Sequence, residues 1–110
     1  MRWIPLKTEA QLENIFEKSA TIPQLIFKYS SRCSLSNMIK ERLEMEETIP
    51  SIEFYFLDLI RYRSLSDRIA KEFTVQHRSP QVLLIKNGQC VFDESHMDIH
   101  MKDIAAHSAT

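Results

Sequence analysis

The sequence predicts a three-layer α/β fold, in which helices cover both faces of a central mixed sheet of four to five strands. Short apolar runs of strand character alternate with stretches of helical spacing along the chain. A helical stretch separates the first two central strands, which favours a parallel pair joined by a crossover. Asn87-Gly88, between the last two apolar runs, is typical of an antiparallel hairpin. The 110 residues suffice for a single domain, 1–110.

The first half of the chain carries clear start signals. Thr8 and Gln11 have the spacing of a capping box, and Leu12 and Ile15 follow with helical periodicity. This pattern predicts a helix from about Glu9 to Ser19. The other predicted elements are an edge strand within Met1–Leu6, a strand over Gln24–Tyr29, a helix from Cys33 to about Glu47, and a strand over Ile52–Asp58.

The second half repeats the alternation and ends in a hairpin and a helix. Ser64 or Ser66 is the predicted cap of a helix that carries Leu65 and Ile69. The elements that follow are a strand over Gln81–Lys86, its return strand over Gln89–Phe92, a final helix marked by Met97, Met101 and Ile104, and a frayed end over His107–Thr110.

The most informative chemical feature is Cys33, which comes after a strand and begins a helix. The unpaired amides and the macrodipole at a helix start favour an anion, here a thiolate. Such positions lower a thiol pKa from about 8.5 to roughly 3.5–7.5. Arg32 adds a positive charge next in sequence. The sequence therefore predicts a nucleophilic thiol at the carboxyl end of a central strand, where open α/β sheets place their ligands.

Composition excludes several other classes of protein. A net charge of −1 argues against a nucleic-acid binder, and no apolar run approaches the length of a membrane span. The start of the chain lacks a signal-peptide pattern, so the expected location is cytoplasmic. Cys33 and Cys90 fit no disulfide framework or zinc pattern, so no metal site is expected. With Gly88 as the only glycine, phosphate-binding and dinucleotide loops are excluded.

Three stretches make the chain similar to thioredoxin-fold proteins: Cys33 at its helix start, Ser79-Pro80 before the penultimate strand, and the turn Lys86–Gly88. The resemblance implies a cis peptide bond before Pro80, facing the cysteine, with the Ser79 backbone open to an extended substrate. Within this fold the chain resembles the monothiol bacilliredoxins of YtxJ type. The stretches that carry this likeness are Phe27–Ser36, Val75–Gln81 and Ser95-His96, with departures at Tyr29, Ser34 and Met97.

The family resemblance implies an enzyme that removes bacillithiol from mixed disulfides on proteins, with Cys33 as the nucleophile. Bacillithiol is then a co-substrate, and no tightly bound cofactor is implied. The implied partners are S-thiolated cytosolic proteins, a low-molecular-weight thiol and a disulfide reductase. Ser36 stands where a dithiol enzyme carries its second cysteine, which favours monothiol exchange. Cys90 is predicted to be inert and not to form a disulfide with Cys33.

Several polar side chains are candidates for helping Cys33. Arginines suit the two carboxylates of the malate in bacillithiol, and histidines are either proton shuttles or loop hydrogen-bonders. Two other functions stay open, a non-catalytic thioredoxin-fold interaction module and an arsenate-reductase-like reductase of a small oxidant. The candidate supporting and substrate-binding residues are Arg32, Ser34, Ser36, Arg63, His77, Ser79, Pro80, Ser95 and His96, with Arg78 as a further member of a basic rim.

Overall fold

A computed structural model of the chain describes residues 2–46 and 49–110. Met1 and Glu47, the outer limits of the predicted edge strand and of the predicted Cys33 helix, lie outside these residues. No helix in the described ranges is long and apolar enough to cross a membrane. The elements are β1 (Trp3–Pro5), α1 (Glu9–Lys18), β2 (Gln24–Tyr29), α2 (Ser34–Met45), β3 (Glu53–Asp58), α3 (Arg63–Glu72), β4 (Gln81–Lys86), β5 (Gln89–Ser95), a 3-10 turn (His96–Asp98) and α4 (Met101–Ser108).

The five strands form one mixed sheet in the order β1-β3-β2-β4-β5. Strand β3 pairs in parallel with both β1 and β2, whereas β4 is antiparallel to β2 and to β5. The continuous apolar runs of β2 and β4 suit central positions, because such strands are covered on both faces. The predicted parallel pair, edge strand and mixed sheet are therefore confirmed.

Helices cover both faces of the sheet and give the predicted three layers. On one face α1 and α3 pack through Leu12, Ile15, Leu65 and Ile69. On the other face α2 and α4 pack through apolar residues of the same kind. These residues are Ile39, Leu43, Met101 and Ile104. Because side chains alternate along a strand, β2 sends Ile26 and Lys28 to the first face and its odd-numbered residues to the second.

The β4–β5 hairpin turns at Asn87 and Gly88, as the sequence predicts. Both residues have positive φ, 53° and 74°, which is the requirement of a type I′ turn. Ser19 at the end of α1 holds this turn: its carbonyl accepts from the Asn87 amide at 2.8 Å, and its hydroxyl accepts from the Gly88 amide at 2.9 Å. A Cβ at Gly88 would lie 2.8 Å from Cζ of Phe16, so the position suits glycine for two reasons.

Two predicted boundaries differ from the structure. Strand β5 continues past Phe92 to Ser95, because β4 offers pairing partners as far as Gln81. Helix α3 is capped by Tyr62 and not by Ser64 or Ser66. A turn that begins at Asp58 leads straight into this helix, so the serines fall inside it.

The region predicted as one final helix consists of a 3-10 turn followed by α4, and the end of α4 packs on the hairpin. Met97 was predicted to belong to it, but lies in the separate 3-10 turn and is 52% exposed. His96, with φ of 58°, breaks the chain direction there. The end of the chain was expected to fray, yet α4 reaches Ser108 and His107 stacks on Phe92 with ring centres 4.1 Å apart.

Candidate active site

Cys33 occupies the N-cap of α2, directly after the turn that follows β2. Its amide donates to the Ser30 carbonyl at 3.1 Å, which closes the turn. Its own carbonyl accepts from the Asn37 amide at 3.1 Å, the first bond of the helix. The residue is extended, with φ of −105° and ψ of 120°, and is partly exposed. The sulfur thus lies at the positive end of a helix and is reachable from solvent.

The pKa of the Cys33 thiol is lowered from its ordinary value. The backbone amide of Ser36 is the largest cause of the lowering. Desolvation is the second-largest effect and acts in the opposite direction, while the Leu35 amide and the Ser36 hydroxyl lower the pKa by smaller amounts. Arg32 was expected to add to this lowering, but it is exposed and is not among the groups that shift the pKa. The helix start itself therefore favours the thiolate.

Ser36 and Ser79 join the Cys33 helix to the segment before β4. Ser36 is fully buried, and its hydroxyl oxygen lies 3.5 Å from that of Ser79. The peptide bond between Ser79 and Pro80 is cis, as the resemblance to thioredoxin-fold proteins implies. Two predicted site residues from distant parts of the chain thus meet beside Cys33.

The structure also places Ser95 and His96 next to Pro80. The His96 amide donates to the Pro80 carbonyl at 3.0 Å, and Ser95 pairs with Gln81 across the two strands. Arg42 of α2 anchors the 3-10 turn that begins at His96, because its guanidinium donates to the carbonyls of Met97 and Ile99. Ser34 is the exposed first residue of α2, adjacent to the thiol.

The predicted arginines lie at the surface and have different neighbours. Arg63 begins α3, and its Nε lies 3.5 Å from Oδ1 of Asp67 with both side chains about two-thirds exposed. Arg78 reaches Gln76 at 3.5 Å. Exposed pairs of this kind contribute little to stability, which leaves these guanidinium groups available to a ligand.

His77 contacts a polar cluster on the face covered by α3. Its Nδ1 lies 3.3 Å from the Ser66 hydroxyl and 3.5 Å from Nζ of Lys28. Desolvation lowers the His77 pKa, and the positive charges of Lys28 and Arg63 lower it further. The ring is therefore mostly neutral at pH 7, a state in which it suits hydrogen bonding better than proton donation.

Lys28 is the member of this cluster that the sequence interpretation missed. It is fully buried in β2, and its Nζ donates to the Ser66 carbonyl at 3.1 Å. Desolvation lowers its pKa to about 8, although Asp67 acts in the opposite direction. The sequence carried only a partial signal: Lys28 stands inside an apolar run, but a lysine there is buried only if both faces of its strand are covered.

Cys90 lies far from Cys33, and both cysteines are free. The sheet register sets Cys90 opposite Ile85, which in turn lies opposite Gln24 at the start of β2. Cys33 follows the other end of that strand, about 17 Å along it at roughly 3.3 Å per residue. A disulfide needs Cα atoms within about 7 Å. Burial, together with Asp93, raises the Cys90 pKa to about 11.

The described residues contain no group of three or more His, Cys, Asp or Glu side chains placed to hold a metal ion.

A half-exposed cysteine that caps the helix after a central parallel strand, opposite a cis-proline segment, defines a thiol oxidoreductase of the thioredoxin fold. A serine three residues after the cysteine makes it a monothiol form. The sequence model of the monothiol bacilliredoxin BrxC family matches residues 4–104. The chain belongs to the monothiol bacilliredoxin family.

Solved structures agree with this fold. A protein provisionally described as an oxidoreductase with a thioredoxin fold is 28% identical, with a TM-score of 0.84 over 96% of this chain and 92% of that one. Thioredoxin from Malassezia sympodialis is 17% identical, with a TM-score of 0.75 over 99% and 90% of the two chains. Thioredoxin from Nicotiana alata is 21% identical, with a TM-score of 0.75 over 97% and 93%.

The two thiols are predicted to react very differently with iodoacetamide. Cys33 should be alkylated with an apparent pKa below the ordinary thiol value, because amides stabilise its thiolate. Cys90, with a pKa of about 11, holds only about 0.03% thiolate at pH 7.5 and should react far more slowly. Peptide mass mapping at a series of pH values measures the alkylation rate of each cysteine. A Cys90→Ser variant should leave the Cys33 profile unchanged, and faster reaction at Cys90 would contradict the assignment.

The buried Lys28 should make stability depend on pH. Its pKa is about 8 in the folded chain against an ordinary 10.5, so between these values the unfolded chain binds a proton that the folded chain has lost. Stability relative to a Lys28→Met variant should therefore rise with pH across this window, by about 3 kcal/mol in all. Urea unfolding of both proteins at pH 7 and pH 10.5 measures this difference, in which the other titrating groups cancel. A difference that stays constant with pH would show that Lys28 is not desolvated.

Proposed function

We propose that this protein removes bacillithiol from mixed disulfides on cytosolic proteins, with Cys33 as the nucleophile. The observation that carries the proposal is a half-exposed thiol with a lowered pKa at a helix start, in a member of the monothiol bacilliredoxin family. A lowered pKa favours exchange chemistry over an interaction module in which the thiol is incidental. No tightly bound cofactor takes part in the proposed reaction.

The proposed exchange proceeds in two balanced steps. The Cys33 thiolate attacks the bacillithiol sulfur of the mixed disulfide, the old S–S bond breaks, and the protein cysteine leaves as a thiolate that takes up a proton from solvent. Cys33 then carries bacillithiol in a new disulfide. A second bacillithiol thiolate attacks that adduct and releases Cys33 with bacillithiol disulfide as the product, or a disulfide reductase supplies the electrons instead. Ser36, being a serine, provides no competing intramolecular disulfide.

The neighbours of Cys33 supply stabilisation and binding in this scheme. The Ser36 amide and hydroxyl stabilise the attacking thiolate and stabilise it again when the adduct is resolved. Ser79, whose hydroxyl lies beside that of Ser36, is proposed to contact an extended substrate backbone. The residues proposed to line the rest of the substrate path are Ser34, Pro80, Ser95 and His96, while His77 supports the segment before Pro80.

A basic rim is proposed to hold the malate carboxylates of bacillithiol. Arg32 lies next to the thiol, and Arg63 begins the helix that faces the His77 segment. Guanidinium groups bind carboxylates through paired, charge-assisted hydrogen bonds. The rim would thus give a preference for an acidic small thiol.

Replacement of Cys33 by serine should abolish removal of bacillithiol from a test protein, because a serine hydroxyl does not attack a disulfide under these conditions. Cys90→Ser should keep most of the activity and serves as the matched control. Release of the free protein thiol, followed by mass spectrometry, measures both variants. Mass spectrometry of the wild-type intermediate should show a bacillithiol adduct at Cys33. Activity that survives the Cys33 change would end the proposal.

Charge reversal on the rim should slow the reaction with bacillithiol. Arg32→Glu and Arg63→Glu are each expected to lower kcat/KM by roughly three- to tenfold, about the loss of one charge-assisted contact at a solvated site. Lys71→Glu makes the same charge change on α3, about 12 Å further from the helix start, and is the control. Equal rates for all three variants and the wild-type protein would remove the arginines from the binding site.

A further inference from the structure

Lys28 is an energetic anomaly in this fold. Its side chain is fully buried in the central strand, and none of the ion pairs found in the described part of the chain includes it. An ammonium group in this position pays a desolvation penalty that a methionine of similar length would avoid. Such departures from the apolar pattern are expected where a side chain has a role beyond packing.

The buried lysine belongs to a polar support beneath the segment 76–80. Nζ of Lys28 lies 3.5 Å from Nδ1 of His77, and the Ser66 hydroxyl lies 3.3 Å from the same nitrogen. Gln81, also fully buried, is the cross-strand partner of Lys28. Its side-chain amide donates to the Gln76 carbonyl at 3.0 Å and its side-chain oxygen accepts from the Arg78 amide at 3.3 Å. The first three residues of the segment, Gln76, His77 and Arg78, are therefore held from one face of the sheet.

The same segment reaches the thiol from the other side. Ser79, two residues after His77, contacts Ser36, and Ser36 is the main cause of the lowered pKa of Cys33. Lys28 thus sits at the far end of a short path of packed polar groups that ends at the nucleophile. The path passes from the α3 face of the sheet, around the end of β4, to the α2 face.

We propose that Lys28 is a positioning residue for the exchange reaction: its buried ammonium, through His77, fixes the segment 76–80 and so holds Ser79 where substrate meets Cys33. This role rests on the function proposed above and assigns no contact between Lys28 and the reacting sulfurs. The support is strongest while Lys28 carries its proton, because an ammonium is a stronger hydrogen-bond donor than an amine.

The groups around Lys28 give this support a recognisable pH dependence. The charged groups that face the cluster are Asp67 and Arg63 on α3, and the segment contributes the titratable ring of His77. Strand β4 contributes the neutral Gln81, and α1 contributes apolar side chains. The phenols of Tyr55 on β3 and of Tyr62 pack on the same face, and burial raises the pKa of Tyr55 above its ordinary value of 10. Since burial and nearby positive charges keep His77 neutral above pH 7, Lys28 is the group of the cluster that titrates between pH 7 and pH 9.

A Lys28→Met variant tests the proposal, with Ile26→Met as the matched control. Ile26 lies on the same strand and face, so its change repacks the same layer without touching the polar support. At pH 7 the lysine variant should raise KM for a bacillithiolated protein by roughly three- to tenfold and change kcat by less than about twofold. The ratio of its KM to that of the wild-type protein should shrink at pH 9. The control should stay near wild-type values at both pH values.

A readout that does not require activity separates this proposal from the proposed function. Amide hydrogen exchange at Arg78 should be faster in Lys28→Met than in the wild-type protein or in Ile26→Met, because the bond to Gln81 is no longer held in place. Unchanged protection at Arg78, or a KM ratio that is the same at pH 7 and pH 9, would overturn the positioning role. Loss of the exchange reaction in wild-type protein would instead overturn the proposed function, while the hydrogen-exchange result would still decide the role of Lys28.

Discussion

The chemistry of this protein depends on the unpaired amides at the start of α2. Every helix leaves its first N–H groups without backbone acceptors, and most helices satisfy them with the oxygen of a serine, threonine, aspartate or asparagine at the N-cap. Here the N-cap residue is Cys33. A neutral thiol is a weak acceptor, whereas a thiolate is a good one, so the helix start lowers the pKa of the very group that must be ionised to react. The Cys33 side chain makes no cap hydrogen bond in the structure, so the amides that an oxygen would satisfy in another helix stay directed at the thiol.

The two layers of helices support this site in different ways. The α2 layer is apolar beneath the thiol, and Ser36 is its buried polar group that reaches towards Ser79. The α3 layer carries the larger desolvation cost, since Lys28 and Gln81 are buried there among apolar neighbours. The segment 76–80 passes between these layers at the end of the sheet. Its position depends on both layers, through His77 on one side and Ser79 on the other.

Cys90 shows how strongly the structural environment of a thiol determines its pKa. It has the same side chain as Cys33 but lies in a strand of the hairpin, where burial raises its pKa instead of lowering it. The cause is the absence of a helix start at that position and the presence of apolar packing and of Asp93. Monothiol behaviour follows from this separation as much as from Ser36, because the second thiol is at the wrong end of the sheet.

Hydrophobic periodicity and turn chemistry were enough to predict the layers, the parallel pair, the hairpin at Asn87-Gly88 and the helix start at Cys33, because each depends on neighbours in sequence. Tertiary structure alone decided the contact between Ser36 and Ser79, the burial of Lys28 and the separation of Met97 from the last helix. These features depend on which residues from distant parts of the chain meet when the helices pack on the sheet. A lysine in an apolar strand reads as a surface residue until both faces of that strand are known to be covered.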